Sequence, residues 1–464
     1  MVLQSNLTGI CCISLSYRRI AKVYSEPRSA WTKLEDCATF APMYGRGRKN
    51  STTLVHPRLD PLRKRLYHFW WLPAVLVVVF LCGLRFSSHQ LVHQRVMSVI
   101  QPSTSSVTPP QAQPTEGSPA KATQSSEQPS AEGSKETNLY AATTDTQVGD
   151  RFASIPERVY SPNVGDATVD VIDPETFEIV DHYAVGEIPH HVTPSWDMKK
   201  LYVNNEGSSS LTVIDPKTGK PTDTISVPYP YNLYFTPDGE KAIVVVERLQ
   251  TLEFRDPDTW RLLSSVYIPS PGVDHMDFSA EGDYLLASSE WGGMVTKVDT
   301  KEMKITGSIE VGGNPVDVKL SPDGKVFYVA NQGEGYGGVH VIDPRAMKQL
   351  KFIPTGAGAH GLYVSRDTKS LYVANRLAGT ISVIDFATRK VMATWEVGGS
   401  PDMLQLSPDG TQLWYADRYN GTVSVMNARS GKLIHRIAVG YYPHGLTYFP
   451  NVGRFSLGHN GVYR

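Results

Sequence analysis

The sequence predicts an all-β chain closed into a ring of seven four-stranded sheets, and three observations predict it. An apolar strand ending in an acid or amide recurs seven times, at Asp173, Asp215, Asp256, Asp299, Asp343, Asp385 and Asn427, with intervals of 41–44 residues. Each repeat holds four short runs rich in Val, Ile, Tyr and Phe, divided by turn residues. Four antiparallel strands per period of about 42 residues is the signature of a propeller blade. The region begins on a second-type strand, 158–163, and ends on a first-type strand, 443–449. One sheet must therefore draw strands from both ends and close the ring.

Ahead of the repeats the chain changes character twice. Residues 1–65 carry 12 Lys and Arg against 4 Asp and Glu, although the whole chain of 464 residues has a net charge of −1. Residues 66–86, LYHFWWLPAVLVVVFLCGLRF, hold no charge from Phe69 to Leu84. That length approaches the roughly 20 residues that cross a bilayer core. Arg58, Arg63, Lys64 and Arg65 stand just before it. The expectation is a transmembrane signal-anchor with the N-terminal segment in the cytoplasm and the remainder extracytoplasmic, at a cell surface or in a periplasm. Residues 87–150 read as a flexible tether, because 19 of the 40 residues in 101–140 are Pro, Ser or Thr. Such a composition buries too little apolar surface to offset ordering entropy. Residues 151–464 are assigned to the propeller. All four cysteines (Cys11, Cys12, Cys37, Cys82) precede it, so it has neither disulfide framework nor thiolate chemistry.

Within each blade, turns of the Pro-Asp-Gly type (237–239, 322–324, 408–410) follow the first strand, and turns such as 215–219 follow the third. Antiparallel order puts both on one face. The opposite face, at the mouth of the central channel, is the stronger candidate for function, and two rings of residues meet there. The starts of the inner strands supply His190, Tyr231, Asp274, Val316, His360, Asp402 and His444, followed by His191, Asn232, His275, Asp317, Gly361, Met403 and Gly445. His360, Asp402, His444 and His190 fall on four consecutive blades. Three imidazoles and a carboxylate suit zinc, copper or iron and leave a position for water or substrate. Two other readings compete: a polar, water-filled mouth in which Pro-His-Gly is only a turn, and an acid/base histidine without metal. His191, Asp274, His275 and Asp317 are candidate ligand-binding residues beside them.

The second ring ends the second strands. Asn163, Asn205, Asn331, Asn375 and Asp417 read there as left-handed turn residues. Glu206, Glu247, Arg248, Glu290, Arg376 and Arg418 read as solvated charge or as a recognition set for an anionic or polyol ligand. Tyr229, Tyr231, Trp291, Tyr336, Tyr419, Tyr441 and Tyr442 lie in or near the same loops, either packing neighbouring blades or forming a stacking rim. The acidic balance outside residues 1–65 argues against nucleic acid as the partner.

Residues 371–410, LYVANRLAGTISVIDFATRKVMATWEVGGSPDMLQLSPDG, resemble the YVTN-type propeller repeat of YncE-like and surface-layer proteins. The resemblance spans 158–449, and the ending NVGRFSLGHNGVYR is similar to the tail of such proteins. It implies a seven-bladed propeller. It does not choose a function, since the wider superfamily includes binding proteins, a DNA-binding protein, lactonases and metal- or haem-bearing reductase domains. No HExxH, CxxC or phosphate loop is present. The expectation is a membrane-anchored scaffold binding a protein, glycan or small molecule through its mouth, with a lactonase-like hydrolase or a metal-bearing redox protein as the alternative.

Overall fold

The computed structural model describes residues 138–464. The basic segment 1–65, the apolar span 66–86 and most of the 87–150 tether lie outside the described residues. The described residues form seven four-stranded antiparallel sheets, the all-β propeller that the repeat predicts. None of their helices is long and apolar enough to cross a membrane.

Blades 1 to 6 begin on the inner strands Pro189–Pro194, Asn232–Phe235, Val273–Phe278, Pro315–Leu320, Ala359–Val364 and Pro401–Leu406. Blade 7 is the composite sheet. Its inner strand Thr447–Phe449 pairs with Arg158–Asn163, joining Arg158 to Phe449, Val159 to Tyr448 and Tyr160 to Thr447. Thr168–Ile172 and Ile179–Ala184 complete it. The ring closes by pairing the two ends, as the strand count requires.

The residues that make the repeat legible build its turns. The Ser321 hydroxyl accepts the Val326 N–H at 3.1 Å, and Gly324 completes that turn at φ +70°. The Asp215 carboxylate accepts the Lys217 N–H at 2.9 Å, ahead of Gly219 at φ +72°. Inner strands are buried throughout, while outer strands such as Lys390–Glu396 alternate between exposed and half-buried positions. Apolar layers between blades hold the ring; one of them joins Tyr234, Phe254, Phe278 and Leu285.

One irregularity recurs and positions the site. In five inner strands the register slips by one residue near the channel mouth, between Pro189 and Val192, Val273 and Met276, Pro315 and Val318, Ala359 and Leu362, and Pro401 and Leu404. Each slip is a β-bulge, which frees residues from the ladder and re-aims their side chains. The freed residues are His190 and His191, Asp274 and His275, Val316 and Asp317, His360 and Gly361, and Asp402 and Met403.

Both chain segments flanking the repeats lie over the turn face. Leu139 donates its N–H to the Pro322 carbonyl at 2.9 Å, and the buried Tyr140 hydroxyl donates to the Leu320 carbonyl at 3.1 Å. Residues 138–150, placed in the tether from composition, thus lie against the propeller. After Phe449 the chain forms a hairpin in which Ser456 bridges to Tyr463 and Leu457 donates to the Val462 carbonyl at 2.7 Å. It crosses the ends of the inner strands: the Ser456 N–H donates to the Trp196 carbonyl at 3.0 Å, and the Phe235 N–H donates to the Leu457 carbonyl at 2.9 Å. Arg464 pairs with Asp277 at 2.8 Å.

Candidate metal centre in the channel

Six buried imidazoles meet inside the channel, and five of them leave ring nitrogens unpartnered. Four form a belt: His191 from blade 1, His275 from blade 3, His360 from blade 5 and His444 from blade 7, which adjoins blade 1. Around the belt the ring centroids lie 4.7 Å apart for His444 and His191, 5.5 Å for His191 and His275, 6.0 Å for His275 and His360, and 5.8 Å for His360 and His444. The fifth, His459, stands at the tip of the hairpin, 4.9 Å from His191 and 5.0 Å from His275. Imidazoles sharing one ion through nitrogen at about 2.0–2.1 Å place their centroids roughly 4.5–5 Å apart. The belt is slightly wider than that.

Two groups of potential ligand atoms lie within 4.8 Å of one another: His191, His275 and His459, and His360, Asp402 and His444. Of the predicted set, His360, Asp402 and His444 converge on one point, whereas His190 meets them through His444. His190 Nδ1 lies 3.4 Å from His444 Nδ1, His444 Nε2 lies 3.8 Å from Asp402, and Asp402 lies 3.4 Å from His360 Nδ1. Both carboxylate oxygens of Asp402 also face arginine, Arg376 at 2.6 Å and Arg418 at 3.4 Å. His190 turns Nε2 to Glu206 at 3.0 Å.

The imidazoles of the belt keep the free atoms. Both ring nitrogens of His191 and of His275, Nδ1 of His360, Nε2 of His444 and Nε2 of His459 are buried without a hydrogen-bond partner. Burial first, then mutual proximity or nearby Arg and Lys, holds His191, His360, His444 and His459 well below the usual imidazole range. Burial pushes His275 down to about 4. All five are neutral at pH 7, the form whose lone pair binds metal.

The other predicted residues surround this belt. Asp317 pairs with Lys319 at 2.8 Å and accepts the Leu362 N–H at 2.9 Å. Asp274 takes the Ser288 hydroxyl at 2.9 Å; burial, with Glu247 nearby, raises it well above the carboxylate range. Glu290 accepts Gln332 at 2.7 Å, Glu247 accepts the Trp291 indole at 2.8 Å, and Arg248 donates to Glu206 at 2.8 Å. Burial alone would raise Glu206, but His190 and Arg248 outweigh it and hold the carboxyl at about 2. These charges form paired links around the mouth.

One sequence reading changes. The amide ring is structural, but its residues sit in strands and bond sideways: Asn375 donates to Thr380 at 2.9 Å and to Ser382 at 3.0 Å. Tyr231 belongs to the channel, buried 4.6 Å from the His190 ring, whereas Trp291, Tyr336, Tyr419 and Tyr441 are exposed. His459 escaped the repeat-based reading because it lies after the last blade. Its one signal was local, a polar histidine inside Gly-His-Asn-Gly, 458–461.

Comparison with known proteins agrees with the fold. Residues 141–454 match the family model described as YNCE-like beta-propeller. No curated protein matches the chain. Among solved structures, a functionally unknown protein from Desulfotomaculum acetoxidans DSM 771 superposes with a TM-score of 0.52 at 17% identity, covering 62% of this chain and 98% of that one. Kuenenia stuttgartiensis hydrazine synthase gives 0.48 at 20% identity, covering 55% and 87%. The dihydro-heme d1 dehydrogenase NirN in complex with DHE gives 0.48 at 18%, covering 62% and 74%. At these identities the likeness is one of fold alone.

Proposed function

We propose, on the premise that this chain belongs to the YNCE-like β-propeller family, that its channel mouth is a binding face whose resident ligand is a transition-metal ion. The observation that carries this reading is the set of unpartnered nitrogens on five buried imidazoles. Each unpaired buried polar group costs about 1–3 kcal/mol, and one ion among them would give several a partner at once. An imidazole-rich set suits zinc, copper or iron, whereas calcium and magnesium prefer all-oxygen cages.

The surroundings support the same reading. Glu206 accepts from His190 Nε2, and His190 Nδ1 lies against His444 Nδ1, so a carboxylate orients the His444 ring through His190 and leaves its Nε2 for an ion. Arg248, Arg376 and Arg418 line the mouth and favour a small polar or anionic ligand at an open coordination position. Zinc there would polarise a bound water or carbonyl for hydrolysis; copper or iron would make the centre redox-active. The apolar stretch 66–86 and the basic residues before it support placing this propeller outside the membrane.

Elemental analysis of the full chain, purified without chelator, tests the proposal. The expected result is about one ion per chain, released at acid pH as the imidazoles protonate. Less than about 0.1 ion per chain after incubation with zinc, copper and iron salts, against the stoichiometry a built site requires, would sink it.

A further inference from the structure

We infer that His459 is a ligand of the channel metal and that the hairpin carrying it is latched in place by that metal. The inference rests on the metal reading above and extends it to a segment outside the seven repeats.

The hairpin is shaped to deliver this side chain. His459 adopts φ +54°, a left-handed conformation that is strained for a residue with a β-carbon and that gathers at ligand clamps. Gly458, at φ +87°, passes so close to blade 2 that a β-carbon there would fall against the Leu233 carbonyl. The His459 N–H then donates to that carbonyl at 2.7 Å. Its ring stacks on Tyr234, with centroids 5.5 Å apart and planes 5° from parallel. The Asn232 side-chain amide lies 2.8 Å from Nδ1; with its oxygen turned to the ring it accepts the Nδ1 proton and leaves the Nε2 lone pair free, the tautomer a metal ligand needs.

With Nδ1 engaged, Nε2 is the atom left facing the belt. It is buried and lacks a hydrogen-bond partner, and Asp317 lies 3.7 Å away. A metal ligand is commonly oriented in this way, with one nitrogen fixed by a neighbour and the other aimed at the ion. His191 and His275 complete a three-imidazole group with it. Two of these three ligands come from blades and one from a segment held by turn-face contacts, so metal binding and hairpin docking are linked equilibria. Linkage is reciprocal: whatever factor metal adds to docking, docking adds to metal affinity.

Hydrogen exchange on the full chain, with chelator or with Zn(II) or Cu(II) as the added probe, tests this. Metal is expected to slow exchange of the Leu457, His459 and Val462 amides at least about ten-fold. His459→Gln should abolish that slowing and weaken binding of the probe at least about ten-fold. Arg464→Ala retains every imidazole but removes the ion pair to Asp277; it should weaken binding by the factor through which it lowers the docked fraction of the hairpin in the metal-free protein, as read from hairpin exchange. Arg464→Ala also carries the test should His459→Gln fail to fold. Metal that binds without altering hairpin exchange, or that binds His459→Gln as tightly as wild type, overturns the latch and leaves the channel site standing. Failure of either ion to bind overturns both.

Discussion

His275 shows how much of the site is decided by single side chains. Burial holds it neutral down to about pH 4 in the folded protein, while the unfolded chain protonates it near 6.5. Between those values the unfolded state binds the extra proton, so folding stability falls as pH falls through that window. His191, His360, His444 and His459 are depressed too and act in the same direction. The melting temperature of metal-free protein should therefore decline from about pH 6.5 towards 4, ahead of the loss expected as Glu206 titrates between 4.5 and about 2. His275→Gln should flatten the upper part of that decline in a calorimetric pH series; an unchanged slope would mean the imidazole is not held neutral. Asp402 belongs to the same scale. Asp402→Ala leaves buried Arg376 without its charge partner, and breaking a buried pair from one side costs about 3–5 kcal/mol. A urea titration should show that loss; a change under about 1 kcal/mol would class the pair with surface bridges.

The strand and its bulge explain why the sequence named many of these residues but not their grouping. In a regular strand, consecutive side chains point to opposite faces, so His190 and His191 cannot both be aimed inward. The bulge between Pro189 and Val192 removes that restriction. The belt accordingly takes the second residue of the pair from blades 1 and 3 and the first from blades 5 and 7. No periodicity in the sequence announces that switch. It also explains two glycines of the first ring. Gly361 and Gly445 follow the inward histidines of blades 5 and 7; a β-carbon on Gly361 would strike the Asp402 carbonyl, and one on Gly445 would overlap the His191 imidazole. Gly445→Ala should therefore displace His191 from the belt while leaving all seven sheets formed. The expected outcome is an unchanged far-ultraviolet spectrum with metal affinity reduced at least about ten-fold, the effect typical of disturbing a ligand's orientation. Retained affinity would show that His191 is dispensable.

At the scale of the whole molecule, the seven blades and the composite closing sheet were legible because repetition multiplies a weak strand signal sevenfold. What lies outside the repeat was not legible, because single copies have no register to be read against. The segment 138–152 is the clearest case: its approach is Pro/Ser/Thr-rich, yet Tyr140 is 3% exposed and lies on the turn face, with the Arg464 guanidinium 5.7 Å from its ring centroid. Arg151 donates to the Gly453 carbonyl at 2.7 Å. The leading segment and the hairpin therefore support one another across the turn face, on the side of the channel away from the mouth. A chain begun at residue 151 would remove Tyr140 and free Arg464 on that side. Deleting a buried large aromatic costs about 3–5 kcal/mol, so its urea midpoint should fall below that of a chain begun at 138. Its hairpin amides should also exchange faster, since part of their cover is gone. If the two chains unfold at the same midpoint and their hairpins exchange alike, the leading segment contributes nothing to the domain, and the seven sheets and the hairpin hold the imidazoles together without it.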